Sequence, residues 1–379
     1  MTASRLDSPA CPRSTETPGP VLLVVDSLDG GGAQRCVVDL AVALRRRGRP
    51  VHVACTTGGG GAAALADAGV PVTVLLDQPP GRRAAGRPER VLRELVAELH
   101  PAVVHAHLFA SAAAAAHAVR GAAVPLVITE HTEGPWRDQR ARALSGLVYR
   151  RADRVLATST AIRDRLVTDH GVAPDRIEML LPAAAALPTV GGPPAVPGRP
   201  AVGLVGRLVP DTGVDVLLRA AALVSAVVPQ VAFLVIGDGP LRPELERRAT
   251  VLGLAGTVTF TGHRSDAPRL VGGLDVLAVP SRADGSPLVV CEAMAAGVPV
   301  VASRVGGLPD LVEDGGSGLL VRPGEPEHLA RALVSLLLDP EAARRLGERG
   351  RSLAASRSHE RLVDRVTQLY ADVARVPAG

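Results

Sequence analysis

The chain predicts an α/β architecture of two doubly wound, Rossmann-like parallel-sheet domains facing each other across a cleft. Three observations carry that expectation. Short runs that are apolar throughout alternate with amphipathic helical stretches along almost all of the 379 residues, the pattern of parallel strands covered by helices on both faces. The alternation breaks once, at LPTVGGPPAVPGRP from Leu187 to Pro200, where five prolines and three glycines exclude a packed element. The length itself suits two domains of ordinary size.

Residues 1–19 are polar and Pro-rich with no apolar h-region, and read as a flexible tail rather than a signal peptide. The first domain is expected over residues 20–187. It opens with the apolar run Val21 to Val25, then Gly30, Gly31 and Gly32. A helix follows with Val37, Leu40, Ala41 and Leu44 on one face; Arg45, Arg46 and Arg47 close it in favour of its dipole, and Gly48 stops it. Strands are expected from Val51 to Cys55, Val72 to Leu76, Ala102 to His105, Leu126 to Thr129, Val155 to Thr158 and Ile177 to Leu181, with helices from Arg87 to Leu99 and Ser111 to Arg120. After a linker at 188–200, a second domain over 201–357 restarts the pattern. Its strands are Val202 to Val205, Ala232 to Ile236, Val258 to Phe260, Val276 to Val279, Val298 to Ala302 and Gly318 to Val321. Residues 358–376 carry a helical stripe of Leu362, Val363, Val366, Leu369, Tyr370 and Val373. Sheets of this type bind ligands at the carboxyl ends of their strands, so the cleft between the domains is the expected site.

Composition removes several classes of function. All 42 basic side chains are Arg, and neither Lys nor Asn occurs, which excludes a Schiff-base lysine, a Walker lysine and N-glycosylation. Aromatics are 2% of the chain, too few to stack single-stranded nucleic acid, so no nucleic-acid partner is expected. Cys11, Cys36, Cys55 and Cys291 lack C-x-x-C spacing and read as idle thiols. No uncharged run makes a membrane span, and a cytoplasmic location is expected. Residues 1–190 carry 22 Arg against 18 acids, with clusters at Arg45, Arg46, Arg47 and Arg49 and at Arg82, Arg83, Arg87, Arg90 and Arg93. Read as solvated helix faces these need no partner; read as a docking face they fit an anionic acceptor or peripheral contact with an anionic membrane surface.

Two strand-to-helix turns carry chemistry. In the first, Gly206 ends an apolar strand and Arg207 stands at its mouth, where a guanidinium meets a phosphate. The second is the stretch from Pro280 to Val301. Asp284 lies in a Gly/Ser/Pro loop of Gly285, Ser286, Pro287 and Leu288, and Glu292 follows eight residues later in the helix that the loop opens. Loop amides receive a diphosphate or sugar, and two carboxylates grip separate hydroxyls. A carboxylate inside VVCEAMAAGVPVV needs a ligand or a partner to offset its burial; a capping role for Glu292 is the alternative.

The sequence resembles the GT-B fold glycosyltransferases of family 4 (GT4). The resemblance rests on GGGAQR at Gly30 to Arg35, VVHAH at Val103 to His107, TEH at Thr129 to His131 and ADRVLATS at Ala152 to Ser159. GRL at Gly206 to Leu208, the D-x7-E spacing of Asp284 and Glu292, and GGLPDLVEDGGSGLLV at Gly306 to Val321 extend it through the second half. It implies a retaining hexosyltransferase that takes a hexose or N-acetylhexosamine from a UDP- or GDP-sugar to a hydroxyl acceptor. No cofactor beyond the nucleotide-sugar co-substrate and no metal are implied. By the same resemblance Glu292 holds the ribose, and Asp284 with the amides of Gly285, Ser286, Pro287 and Leu288 holds the sugar. Arg207, beside Gly206, neutralises the diphosphate, Gly31 and Gly32 approach it from the opposite domain, and His131 faces the sugar, although a packed histidine at a strand end is the alternative there. His105 and His107 read as structural. The last helix is implied to cross back onto the first domain.

Three positions depart from the family pattern. Thr212 stands where a lysine is usual, Asp284 where the first acid is usually Glu, and Ala183 and Ala184 where Asn-Gly commonly follows a proline. Arg264, in the turn after Phe260, is a candidate to replace the missing cation. A homologue that binds a nucleotide sugar or a partner without efficient turnover is therefore the alternative reading. A dinucleotide oxidoreductase is disfavoured, because no G-x-G-x-x-G follows Val21 to Val25.

Overall fold

A computed structural model describes residues 19–29, 31–76, 87–132, 139–185 and 195–375; the expected tail and most of the expected linker lie outside them. Seven parallel strands make the first sheet: β1 (Val21–Ser27), β2 (Val51–Thr57), β3 (Val72–Val74), β4 (Val103–His107), β5 (Leu126–Glu130), β6 (Arg154–Ala157) and β7 (Ile177–Met179), in the order β3-β2-β1-β4-β5-β6-β7. Its helices are α1 (Gly32–Arg46), α2 (Gly61–Asp67), α3 (Arg87–Leu99), α4 (Phe109–Ala118), α5 (Gln139–Tyr149) and α6 (Thr160–Thr168). The second sheet has six strands, β8 (Ala201–Val205), β9 (Ala232–Ile236), β10 (Val258–Gly262), β11 (Val276–Val279), β12 (Val300–Ser303) and β13 (Gly318–Val321), ordered β10-β9-β8-β11-β12-β13. Around it lie α7 (Val214–Val227), α8 (Arg242–Val251), α9 (Ala267–Val271), α10 (Leu288–Ala296), α11 (Leu308–Leu311), α12 (Pro326–Leu338) and α13 (Pro340–Ser356). A last helix, α14 (His359–Arg375), ends the described chain.

Both sheets are doubly wound, and their strand order reverses between β1 and β4 and between β8 and β11, the switch points where such sheets open a crevice. The strands are legible as continuous apolar runs because both faces are covered: Val21 to Val25 are all buried, with Leu22 and Val24 on one face and Val21, Leu23 and Val25 on the other. Alanine makes up for the scarcity of aromatics. Ala112, Ala115, Ala116 and Ala118 of α4 are buried and let that helix lie close on the sheet.

The α14 stripe of Val363, Val366, Leu369, Tyr370 and Val373 is buried in the core of the first sheet, against α1 and β4. The basic clusters of the first domain are partly engaged. Arg47 reaches Asp364 of α14 at 2.6 Å, Arg93 meets His117 at 2.6 Å, and Arg90 pairs with Glu94 at 3.4 Å; Arg82 and Arg83 lie outside the described residues. Among the described residues no helix is long and apolar enough to cross a membrane.

Candidate active site

The carboxyl ends of the two sheets face each other and touch. Ser286, in the loop between β11 and α10, donates its hydroxyl proton to the carbonyl of Thr158 just past β6, at 2.6 Å. Asp310 of α11 accepts from the Thr160 amide at 2.7 Å and the Thr160 hydroxyl at 2.8 Å, so a carboxylate of the second domain caps the first turn of α6 in the first. Glycine is required where the backbones meet. A Cβ on Gly285 would stand 1.9 Å from the His131 carbonyl oxygen, and one on Gly307 would stand 2.8 Å from Cβ of Ser159 in the first domain.

On the second-domain side, Gly206 closes β8 with its amide bonded to the Ile236 carbonyl at 3.0 Å, and Arg207 follows, exposed. Arg207 forms no ion pair or side-chain hydrogen bond among the described residues. Thr212 turns its hydroxyl inward, donating to the Arg207 carbonyl at 2.5 Å, and so contributes no charge to the turn. Arg264 does not replace it. Its guanidinium is committed to Asp266 at 2.7 and 2.8 Å on an exposed turn. Arg282 is likewise spent on Asp215, with two bonds of 2.7 Å that tie the loop before α10 to the first turn of α7. Asp284 accepts from the Ser281 hydroxyl at 3.2 Å, and Pro287 is the N-cap of α10, with Leu288 its first residue.

Glu292 is buried in α10, and burial pushes its carboxyl above the usual range. Opposing that shift is Arg35 of the first domain, whose Nη1 lies 3.0 Å from Glu292 Oε1. Arg35 is in the first turn of α1, three residues after Gly32 and four after Gly31 at the N-cap. These two expected glycines are thereby placed beside the Glu292 end of the cleft, while Gly30 lies outside the described residues.

The first-domain floor is a row of three histidines at the ends of β4 and β5. His131 Nε2 lies 2.9 Å from His107 Nδ1 with the two rings stacked, and the His107 ring lies tilted by 36° against that of His105 at a centroid distance of 4.2 Å. His105 is held at both nitrogens, by the Tyr370 hydroxyl at 2.5 Å and the Thr129 hydroxyl at 2.7 Å. Burial lowers all three. His105 is brought to about 3, and His131 to about 4 even though Glu130 and Asp26 oppose the shift; His107 falls well below the usual value. The rings are neutral at physiological pH. Glu130 anchors the turn: its Oε1 accepts from the amides of His131 and Thr132, both at 3.1 Å, and its Oε2 from the Tyr149 hydroxyl.

The structure therefore brings the Asp284 to Glu292 stretch of one domain against His131 and the start of α1 in the other. Sequence reasoning quoted Arg35, Glu130 and Asp310 within motifs without assigning them. For Arg35 a signal was available, since a cation in the first turn opposes the helix dipole and calls for an anionic partner. His107, read as structural, is a direct hydrogen-bond partner of the expected site residue His131. Burial pushes the Cys36 and Cys291 thiols up to about 12 and that of Cys55 up to about 11, so none of these is a thiolate at neutral pH.

Two facing Rossmann-like domains with this cleft define a GT-B glycosyltransferase. The sequence matches the model for glycosyltransferase family 4 over residues 30–183 and that for glycosyl transferases group 1 over 199–339. It is 32% identical over 310 residues to the D-inositol 3-phosphate glycosyltransferase of Segniliparus rotundus, covering 74% of this chain and 68% of that protein. The chain belongs to glycosyltransferase family 4. It spans about two thirds of the length of the inositol phosphate glycosyltransferases it matches. A 165-residue segment is 39% identical to the GDP-mannose-dependent α-(1-6)-phosphatidylinositol monomannoside mannosyltransferase of Mycolicibacterium smegmatis, covering 41% of this chain and 43% of that one. Among solved structures, HepE of Anabaena in complex with UDP-glucose superposes with a TM-score of 0.82 at 25% identity, over 93% of this chain and 100% of that one.

Proposed function

We propose that this glycosyltransferase moves a hexose or N-acetylhexosamine from a UDP- or GDP-sugar to a hydroxyl acceptor, with retention of anomeric configuration and without a metal. The observation that carries the reading is the meeting, in one interdomain cleft, of Gly285 and Glu292 from the second domain with His131 and Arg35 of α1 from the first. A UDP-glucose complex of a protein with this fold and a GDP-mannose-dependent relative support the two nucleotide classes.

In this reading Glu292 accepts hydrogen bonds from the ribose hydroxyls. Asp284 and the amides of Gly285 to Leu288 hold the sugar. Arg207, exposed at the mouth of β8, meets the diphosphate as negative charge builds on the leaving oxygen. Neutral His131 hydrogen-bonds a sugar hydroxyl without placing a full positive charge beside an oxocarbenium-like centre. The bond from anomeric carbon to diphosphate oxygen breaks, the acceptor oxygen forms its bond on the same face, and the acceptor proton passes to the departing phosphate. The high thiol pKa values agree with a route that uses no cysteine nucleophile.

A thermal-shift screen of UDP- and GDP-sugars tests the donor, because a ligand at 100 times its dissociation constant adds about 2.7 kcal/mol. The anomeric configuration of the product, read by NMR, tests retention, and unchanged turnover in a chelator tests metal independence. Stabilisation by none of the panel would overturn the assignment. The Thr212 hydroxyl, turned onto the Arg207 carbonyl where a cation would assist the leaving group, favours a second reading in which donor binds but turns over slowly. Tight donor binding with no measurable transfer or hydrolysis would select it.

A further inference from the structure

Glu292 is an unusual carboxylate. Its side chain is 7% exposed, yet among the described residues neither of its oxygens accepts a hydrogen bond, and its compensation is the Arg35 guanidinium at 3.0 Å. A buried carboxylate in that state keeps its accepting capacity for something else. The cation comes from the other domain. Arg35 is itself 42% exposed, at the cleft edge, and is steadied from behind by Asp39 one helical turn on, with Nε to Oδ2 at 3.8 Å. The other groups near the pair are the protonated thiols of Cys36 and Cys291 and, beyond Asp39, His359. Cys36, the next residue of α1, packs into the apolar cluster that contains α10, so the first turn of α1 leans on the donor-domain helix.

We infer that Arg35 is a positioning residue for nucleotide binding, which reaches across the domain boundary to hold Glu292 ionised and turned toward the ribose of a nucleoside diphosphate. The inference rests on the ribose contact proposed for Glu292. Accepting hydrogen bonds from two hydroxyls favours the carboxylate form, and burial in α10 works against that form. With the domains together, Arg35 supplies the countercharge. Nucleotide binding and domain closure are then coupled, and by reciprocity a nucleotide that engages Glu292 draws Arg35, and the first domain with it, onto α10.

Calorimetry on the full chain tests this with UDP, GDP and their 2′,3′-dideoxy counterparts as probes. The wild type is expected to favour whichever ribonucleotide it binds more tightly over its dideoxy form. A wild type that does not discriminate removes Glu292 from the ribose and takes this inference with it. Where discrimination is seen, Arg35→Gln is expected to weaken the ribonucleotide about tenfold, the scale of one charge-assisted hydrogen bond, and to leave the dideoxy nucleotide within about twofold. Arg35→Lys, which keeps the charge, is expected to recover most of the loss. Equal losses on both nucleotides would place Arg35 on the diphosphate and overturn the inference, as would no loss on either.

Discussion

Glu292 and Thr212 show how single side chains set the terms of this site. Replacing Glu292 by Gln keeps the volume and removes the buried charge, so the fold is expected to survive with an unchanged or slightly higher melting temperature. Affinity for the nucleotide sugar is expected to fall about tenfold. Calorimetry with the preferred donor checks it, and undiminished affinity removes Glu292 from the site. Among the described residues Arg207, at the mouth of β8, has no ion-pair partner. Arg207→Ala is expected to slow transfer by about ten- to a hundredfold through lost stabilisation of the leaving diphosphate, 1.5 to 3 kcal/mol on the usual scale of such bonds. Thr212→Lys, which adds a cation in the same turn and gives up the hydroxyl bond to the Arg207 carbonyl, is expected to raise turnover with little change in donor affinity. Single-turnover rates separate these effects from product release, and activity untouched by either change would mean that the diphosphate lies elsewhere.

At the scale of elements, α6 and α11 form one capping unit built from two domains. Ser159 is the N-cap of α6 and accepts from the Ile162 amide at 3.1 Å, while Asp310 takes the Thr160 amide. Asp310→Ala is expected to cost about 1 kcal/mol of helix capping and to loosen the closed arrangement, visible as a lower melting temperature and a larger radius in small-angle scattering. Asp310→Asn, which keeps an accepting oxygen, is expected to lose less on both measures. An unchanged melting temperature in Asp310→Ala would show that this cap does not hold the domains. Neither partner of the unit is legible as such in the sequence, because Thr160 and Asp310 stand 150 positions apart and spacing says nothing about such pairs. The strands are different. Val276–Val279 and Gly318–Val321 read directly as apolar runs and fold over the same residues, since burial on both faces leaves no other composition workable. Helix α2 carried no such mark: GAAALAD has a single buried side chain, Leu65, and no stripe to detect. Asp284 and Glu292 stood out as carboxylates in apolar and Gly-rich surroundings, whereas Arg35 offered only a cation set against a helix dipole, and its partner came from the opposite domain.

Over the whole molecule the last helix and the cleft are joined through buried histidines. Tyr370 of α14 holds His105, the His105 ring lies against that of His107, and His107 meets His131 at the cleft. This layer gives the protein an acid limit whose sign follows from its burial. In the unfolded chain each histidine takes a proton near pH 6.5. In the fold, burial brings His105 to about 3 and His131 to about 4, the latter against Glu130 and Asp26, and holds His107 well below its usual value. Between pH 6 and 5 the unfolded state therefore binds up to three protons that the folded state refuses. Stability is greatest above pH 6.5 and falls as the pH drops, approaching about 4 kcal/mol per pH unit near pH 5 from the three rings together. Melting curves are expected to be level between pH 7 and 8 and to fall steeply from pH 6 to 5. His105→Gln, which can still bond Tyr370 or Thr129 and cannot take a proton, is expected to lower stability at pH 7.5 and to flatten the acid slope by about a third. A wild-type melting temperature that holds steady from pH 7 to 5 would mean that these rings accept protons within the fold, and the neutral histidine layer beneath the cleft would have to be abandoned.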